Sequence, residues 1–454
     1  QGLVQSGTGS TTLSASNAYT GGTTVSAGSL LLSGGSDRLS TSGSITTMGG
    51  VLDLGTSSQS TSGMITFGGG VVQNGTLISS GTSFVAQSGT VNAVLAGTQA
   101  LIKSGTGALT LTGANGYTGG TSVNEGSLLL SGGSNRLSMT GSITTTGGVL
   151  DLGNNNQSTS GTITLGGGVV QNGTLTSTGT AFVALSGTVS AVLAGSQGLA
   201  KSGVESLTLS GVNTFTGGTN LSEGSLLLSG GSNRLSTTGS ITTTGGVLDL
   251  GGNAQSTSGL VTLSNGIIQN GILTLTGTAF VAQSGTVSAV LAGSQGLVKS
   301  GTGSTTLTAL NTYTGGTTIN AGSLVLSGGD NRLSTTGDIT TAGGVLDLGG
   351  NNQFTLGTIT FAGGTILNGS LTGSGTAYVV QSGVVGAVIG GSQGMVKSGT
   401  GTATLSAVNT YLGGTTISGG SLLLTGGNDR LSTTGSVTMT GGVLDLGGDR
   451  KSVV

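Results

Sequence analysis

Two oppositely charged residues recur together along this sequence and are the first candidates for chemistry. Each arginine lies in a glycine-rich turn, and an aspartate follows it 15 residues later within Val-Leu-Asp-Leu-Gly. The series are Arg38, Arg136, Arg234, Arg332 and Arg430, and Asp53, Asp151, Asp249, Asp347 and Asp445. Such a pair could bind a ligand, but an ion pair between neighbouring turns of the chain explains the recurrence as well. We favour the structural interpretation, in which an exposed pair contributes at most about 1 kcal/mol.

The rest of the sequence offers few groups for catalysis or metal binding. The chain has 13 acidic residues and neither histidine nor cysteine, which excludes a histidine base and the usual zinc ligands. Glycosidases use two carboxylates, but Asp37, the recurrent acid nearest to Asp53, is replaced by Asn135, Asn233 and Asn331. A calcium-binding β-roll would need a carboxylate where Arg136 stands. We therefore predict no catalytic, cofactor-binding or metal site, no cofactor and no enzymatic activity.

Aromatic and lysine residues recur at the same interval as the charged pair. They are Tyr19, Tyr117, Phe215, Tyr313 and Tyr411, and Lys103, Lys201, Lys299 and Lys397. The aromatic rings could stack on sugars, but one ring per repeat cannot form a continuous stacking surface, so packing in a core or corner is favoured. Threonine runs such as Thr46-Thr47 also occur once per repeat, which is too sparse for a surface that orders water.

These series reveal a repeat of 98 residues without a single insertion or deletion. Short aliphatic segments recur within it at about 20-residue intervals, which is the length of one coil of a parallel β-helix. The sequence therefore predicts an all-β, right-handed parallel β-helix, or β-solenoid, with about five coils per repeat; four longer coils, or one sandwich per repeat, are the alternatives. We expect a single continuous solenoid over 1–454, with repeats near 3–100, 101–198, 199–296, 297–394 and a partial 395–454.

The composition supports this fold and excludes several functions. Glycine contributes 97 residues, proline is absent, charged residues make up 5% and the net charge is −2. Glycine suits tight corners, proline is excluded from central strands, and so weak a charge gives no nucleic-acid footprint. No apolar run approaches the roughly 18 residues of a membrane helix, so this segment is not expected to insert into a membrane. Because the chain begins and stops inside a repeat, we expect it to be a fragment of a larger protein.

One stretch resembles a known family. It runs Leu-Val-Lys-Ser-Gly-Thr-Gly at 297–303, then Asn-Thr-Tyr-Thr-Gly-Gly-Thr-Thr-Ile at 311–319 and Ala-Gly-Ser-Leu at 321–324. This looks like the autotransporter-associated β-strand repeat, also called the passenger-associated transport repeat. Copies begin near Leu3, Leu101, Leu199, Leu297 and Met395. The resemblance implies a secreted bacterial surface protein with a β-helical passenger.

These observations lead to two functional hypotheses. The first is a non-enzymatic fibrous repeat protein, secreted, extracellular or on the outer cell surface, that acts as an adhesin shaft, stalk or filament scaffold. Its expected partners are itself, through lateral or end-to-end assembly, or glycan and other cell-surface ligands. The alternative is a carbohydrate-binding or carbohydrate-cleaving β-helix module.

Overall fold

The protein is an all-β parallel β-solenoid of about 22 turns, seen in a computed structural model that describes residues 1–448. The last residues of the predicted partial repeat, 449–454, lie outside the described residues. The chain divides into two compact units. The first comprises Gln1–Thr219, Leu226–Gly230 and Arg234–Ser236, and the second comprises Asn220–Ser225, Gly231–Asn233 and Thr237–Val454.

The strands of each unit are short and evenly distributed. In the first unit they are Leu3–Gln5, Ser10–Leu13, Thr23–Val25, Ser29–Leu32, Ile45–Asp53, Ser58–Thr61, Ile65–Gln73, Thr76–Ser79, Phe84–Val91, Val94–Gly97, Leu101–Lys103, Ala108–Leu111, Thr121–Val123, Ser127–Leu130, Ile143–Thr145, Val149–Thr159, Ile163–Ser177, Phe182–Val189, Val192–Ala194, Leu199–Lys201 and Ser206–Leu209. Two strands, Thr219–Leu221 and Ser225–Leu228, fall where the chain is divided.

The second unit contains the remaining strands of the described chain. They are Ile241–Thr243, Val247–Thr257, Val261–Leu263, Ile267–Leu275, Phe280–Ala282, Gly285–Val287, Val290–Gly293, Leu297–Lys299, Ser304–Leu307, Thr317–Ile319, Ser323–Leu326, Ile339–Thr341, Val345–Thr355, Ile359–Phe361, Thr365–Gly373, Tyr378–Val380, Gly383–Val385, Val388–Gly390, Met395–Lys397, Thr402–Leu405, Thr415–Ile417, Ser421–Leu424, Val437–Met439 and Val443–Asp445.

Parallel pairing stacks these strands into columns, and the longer strands pass through more than one column. In the first unit, the first column is marked by these partners in register: Leu3, Thr23, Ile45, Ile65, Phe84 and Leu101. The five coils between them contain 20, 22, 20, 19 and 17 residues and together make one 98-residue repeat. The prediction of five coils is therefore confirmed, and the alternatives of four coils or one sandwich per repeat do not describe the fold.

Two further columns accompany the first, and in the first repeat the third column has strands in three of the five coils: Ser58–Thr61, Thr76–Ser79 and Val94–Gly97. The second column pairs Leu30 with Leu52 and Leu52 with Val72, while the third pairs Gln59 with Leu77 and Leu77 with Leu95. The second unit repeats the first column in register as Ile241, Val261, Phe280, Leu297, Thr317, Ile339, Ile359 and onwards. The handedness of the coil and the continuity of one solenoid over 1–454 stay predictions.

Side chains of each strand alternate between the inside of the coil and its surface, as the period of a β-strand requires. In Ser29–Leu32, for example, Leu30 and Leu32 are buried whereas Leu31 faces outward. Each coil therefore contributes a thin layer of leucine, isoleucine and valine to the core. Such layers explain how a chain with only 3% aromatic residues sustains a solenoid.

Candidate functional site

The recurrent residues considered as candidates for chemistry stabilise the coils in the structure. The arginine series is the first example. Arg38 donates from Nε to the Ser33 carbonyl (3.0 Å), from Nη2 to the Gly34 carbonyl, and from Nη1 to Ser16 Oγ (2.7 Å). In the second unit Arg332 binds the carbonyls of Ser327 and Gly328 in the same way. The guanidinium therefore stabilises the glycine-rich turn that contains it.

The aspartate series has different partners, so the predicted ion pair between Arg38 and Asp53 is wrong. Asp53 accepts hydrogen bonds from the Gly55 amide (2.9 Å) and, on the next coil, from Gln73 Nε2 (2.9 Å) and Asn74 Nδ2 (2.8 Å). Partial burial would raise the pKa of Asp53, but these hydrogen bonds together lower it below the ordinary value. Neutral amide groups therefore bond to Asp53 in place of the expected arginine, because the Arg38 guanidinium binds backbone carbonyls instead.

The same polar cluster recurs along the chain with one change. Asp151 accepts from Gln171 and Asn172, and Asp249 accepts from Gln269 and Asn270, whereas Leu367 takes the glutamine position next to Asp347. The asparagine of each Asn-Gly step has a positive φ, 59° at Asn74 and 58° at Asn368, a conformation that asparagine tolerates in tight turns.

The lysine series is buried, which the sequence analysis did not anticipate. Lys103, Lys201, Lys299 and Lys397 have no exposed surface and point into the coil. The Lys299 ammonium, which has three N–H donors, lies within hydrogen-bonding distance of four backbone carbonyls, those of Gln283 (2.9 Å), Ser300 (2.7 Å), Gly301 (3.1 Å) and Ala321 (3.2 Å). Burial lowers the pKa of Lys299. The ammonium supplies donors at a corner where carbonyls converge.

In the first repeat, a neutral side chain takes the place of the buried lysine at this corner. Gln5 stands at the lysine position, and its Nε2 donates to the carbonyls of Gly7 and Gly9, each at 3.1 Å. Its Oε1 accepts from Thr11 Oγ1 at 2.7 Å. A neutral amide can therefore satisfy part of the same group of carbonyls.

A second recurrent residue that the sequence analysis missed is an asparagine two positions before each aromatic ring. Asn115 accepts the Leu95 amide of the preceding coil at 2.8 Å and donates to the Arg136 carbonyl of the following coil at 2.7 Å. Asn311 makes the equivalent bonds to Leu291 and Arg332. One side chain thus links three coils at a corner where regular strand pairing is interrupted. The signal was available, since the asparagines keep the same interval as the tyrosines.

Four members of the aromatic series are packed in the core, as the favoured prediction has it, whereas Tyr19 is half-buried. Tyr117, Phe215, Tyr313 and Tyr411 are each at most 2% exposed. The Tyr117 ring lies 6.2 Å from that of Phe84 on the neighbouring coil. These rings cannot present a face to a sugar.

Each buried tyrosine of this series also forms a hydrogen bond to a threonine four residues later. The distance from Tyr117 Oη to Thr121 Oγ1 is 2.7 Å, and the corresponding Tyr313–Thr317 distance is 2.6 Å. Phe215 lacks the hydroxyl, and the buried Thr219 hydroxyl has no hydrogen-bond partner. A polar group buried without a partner lowers stability, so at this position the third repeat lacks a hydrogen bond that Tyr117, Tyr313 and Tyr411 form in theirs.

The surface offers little that could act on a substrate. A pocket of about 410 Å³ in the second unit is lined by Leu310, Asn311, Thr312, Tyr313, Thr314, Asn331, Thr335 and Thr336, without an acidic or basic side chain. Within residues 1–448, no three histidine, cysteine, aspartate or glutamate side chains lie close enough to hold a metal ion. The described part of the chain likewise contains no helix long and apolar enough to cross a membrane.

Comparison with known proteins agrees with the resemblance noted in the sequence. Five segments match the passenger-associated-transport-repeat: 3–32, 101–130, 199–228, 297–326 and 395–424. A stretch of 172 residues, 37% of the chain, is 32% identical to the "Adhesin BmaC autotransporter" of Brucella suis biovar 1 (strain 1330). The chain spans only 5% of the length of that adhesin. No solved structure matches the chain.

The chain therefore carries passenger-associated transport repeats and is distantly similar, over 37% of its length, to an autotransporter adhesin. The matched segments contain several of the features described above. The fourth, for example, includes the buried Lys299, the bridging Asn311 and the buried Tyr313.

Proposed function

We propose that this chain is a non-enzymatic, extracellular or cell-surface fibrous scaffold, the shaft of an adhesin or a stalk. The observation that carries the proposal is the use of the recurrent polar residues. Lys299 and Arg332 donate to backbone carbonyls, Asn311 bridges coils, and Asp249 is occupied by the amides of the following coil. Because these groups hold the coils together, they are not available as nucleophiles or bases.

The similarity to an adhesin supports the same role but covers a small part of that protein. A scaffold built from identical repeats would bind through many weak contacts, which add up when they are linked on one chain. Its partners would be a second copy of itself or ligands on another cell.

Electron microscopy of the purified chain tests the scaffold role. We expect elongated particles whose length grows by a constant step when one 98-residue repeat is added and shrinks by the same step when one is removed. The step should be about 24 Å, because five coils advance by about 4.8 Å each. Compact particles, or a length independent of repeat number, would refute the proposal.

The polar cluster of an aspartate, a glutamine and an asparagine faces outward and favours a second candidate function, carbohydrate binding. Asp151, Gln171 and Asn172 present a carboxylate and two amides together at the surface, and such groups bind sugar hydroxyls. A glycan array with the natural chain and with an Asp151→Ala, Asp249→Ala variant tests this function. Binding that is lost in the variant would establish it, whereas equal signals from both proteins would eliminate it.

A further inference from the structure

The outward face of the first column in the second unit carries an unusual row of side chains. Each strand of this column has a single outward residue, and these residues pair in register from coil to coil. We call them the outer row: Thr242, Thr262, Val281, Val298, Thr318, Thr340, Thr360, Val379, Val396, Thr416 and Thr438.

Every member of the outer row is threonine or valine, so eleven successive coils present a β-branched side chain without a charge. Up to Thr416 these side chains are half-buried against their neighbours, and Thr438 is exposed. The second column differs, because Asp249 and Asp347 face outward there. Charged residues on a strand oppose pairing with another chain, and the outer row lacks them.

The outer row is large enough to form an interface. Eleven coils at about 4.8 Å, each with about 10 Å of strand, give roughly 500 Å² on one chain, or about 1,000 Å² for two. That area is at the lower limit for a specific interface and is typical of weak, transient association. The net charge of −2 means that two copies repel each other only weakly.

We propose that the outer row is a docking surface for the outer row of a second copy of this chain. This inference rests on the proposed scaffold role, in which the chain itself is a partner. Ladders of identical β-branched side chains interdigitate when two sheets meet face to face, because the coil spacing is the same on both. The same patch on both partners makes a closed, two-fold symmetric contact.

Sedimentation velocity over a range of protein concentrations tests the proposal. The natural chain should show weak dimerisation, and the variant Thr340→Lys, Val379→Lys should weaken it at least tenfold. The matched control is Thr306→Lys, Val384→Lys, which adds the same charges at outward positions of the second column. Both variants change the net charge from −2 to 0, so a difference between them reports position rather than charge.

A third variant should act in the opposite direction. Thr318→Val, Thr340→Val, Thr360→Val makes the outer row more apolar and should tighten dimerisation several-fold, since each substitution replaces a hydroxyl with a methyl group. It also keeps the proposal testable if the lysine variant fails to fold, which circular dichroism would show.

Three results would overturn the proposal. They are a natural chain that remains monomeric at the highest concentration, equal weakening by both lysine variants, and no tightening by the valine variant. Electron microscopy separates this failure from failure of the scaffold role. Elongated particles that do not pair would refute the outer-row interface alone, whereas compact particles would refute the scaffold.

Discussion

The contrast between Tyr117 and Phe215 gives a stability prediction that can be tested in one molecule. The substitution Phe215→Tyr should supply the missing partner to the buried Thr219 hydroxyl, as Tyr117 does for Thr121 at 2.7 Å. A buried hydrogen bond of this kind contributes about 1 kcal/mol, and a hydroxyl left without a partner costs about 1–3 kcal/mol. We therefore expect Phe215→Tyr to stabilise its coil by about 1 kcal/mol and Tyr117→Phe to destabilise its own by at least as much.

Native-state hydrogen exchange is the suitable assay, because repeat proteins open locally and a single free energy of unfolding is poorly defined for them. The amides of Thr214 and Phe215, which bond to the Leu193 carbonyl, report on the relevant coil. A stabilisation of about 1 kcal/mol should slow their exchange roughly fivefold. The corresponding amides Gly116 and Tyr117 should exchange at least fivefold faster after Tyr117→Phe.

The variant Thr219→Val supplies the control. It removes the hydroxyl that lacks a partner, so Phe215→Tyr introduced into this background should lose most of its stabilising effect. A double-mutant cycle then gives a coupling energy of about 1 kcal/mol between the two hydroxyls. The reasoning would be refuted if Phe215→Tyr slowed exchange equally in both backgrounds, or did not slow it at all.

Three further predictions concern the buried polar groups of the fourth repeat. Lys299→Met should speed native-state hydrogen exchange in its coil more than Lys299→Gln does, by the equivalent of about 2 kcal/mol, because Gln5 shows that an amide can still donate to the corner carbonyls. Gly322→Ala should be comparably destabilising, since φ is +63° there and an added Cβ would lie 2.7 Å from the Lys299 ammonium. The control is Gly419→Ala, at a corner residue without positive φ, which should be milder. Burial raises the pKa of Tyr313 from 10.0 to about 12. As the pH rises, the unfolded chain therefore releases the Tyr313 proton before the folded chain does. Stability should fall between pH 10 and about 12, by about 1.4 kcal/mol per pH unit. An equally steep alkaline decline in Tyr313→Phe would contradict this.

Much of the fold could be predicted from the sequence because periodicity is its strongest signal. The interval between Tyr117 and Phe215 sets the repeat, and the spacing of aliphatic segments sets the number of coils. The buried position of the aromatic rings also followed from the lack of a continuous stacking surface. These predictions need only the order of residues along the chain.

The roles of the charged residues could not be obtained in this way. Lys299 lies two residues after the buried Leu297, so strand alternation alone places it inside the coil. The usual cost of burying an ammonium argues against that position, and only the corner geometry shows that several carbonyls converge there to offset it. Arg38 and Asp53 likewise suggested an ion pair because opposite charges attract. In the structure, the Arg38 guanidinium bonds to a backbone carbonyl and the Asp53 carboxylate accepts from a side-chain amide instead.

The constant repeat length has a consequence for how the gene can change. Because Phe84 pairs with Leu101 as Phe182 pairs with Leu199, excision of 101–198 would place Leu199 directly against Phe84 with every following coil still in register. Recombination between the near-identical repeats would add or remove such segments in frame. Chain length could then vary between lineages in whole-repeat steps, without any new junction having to be selected for folding.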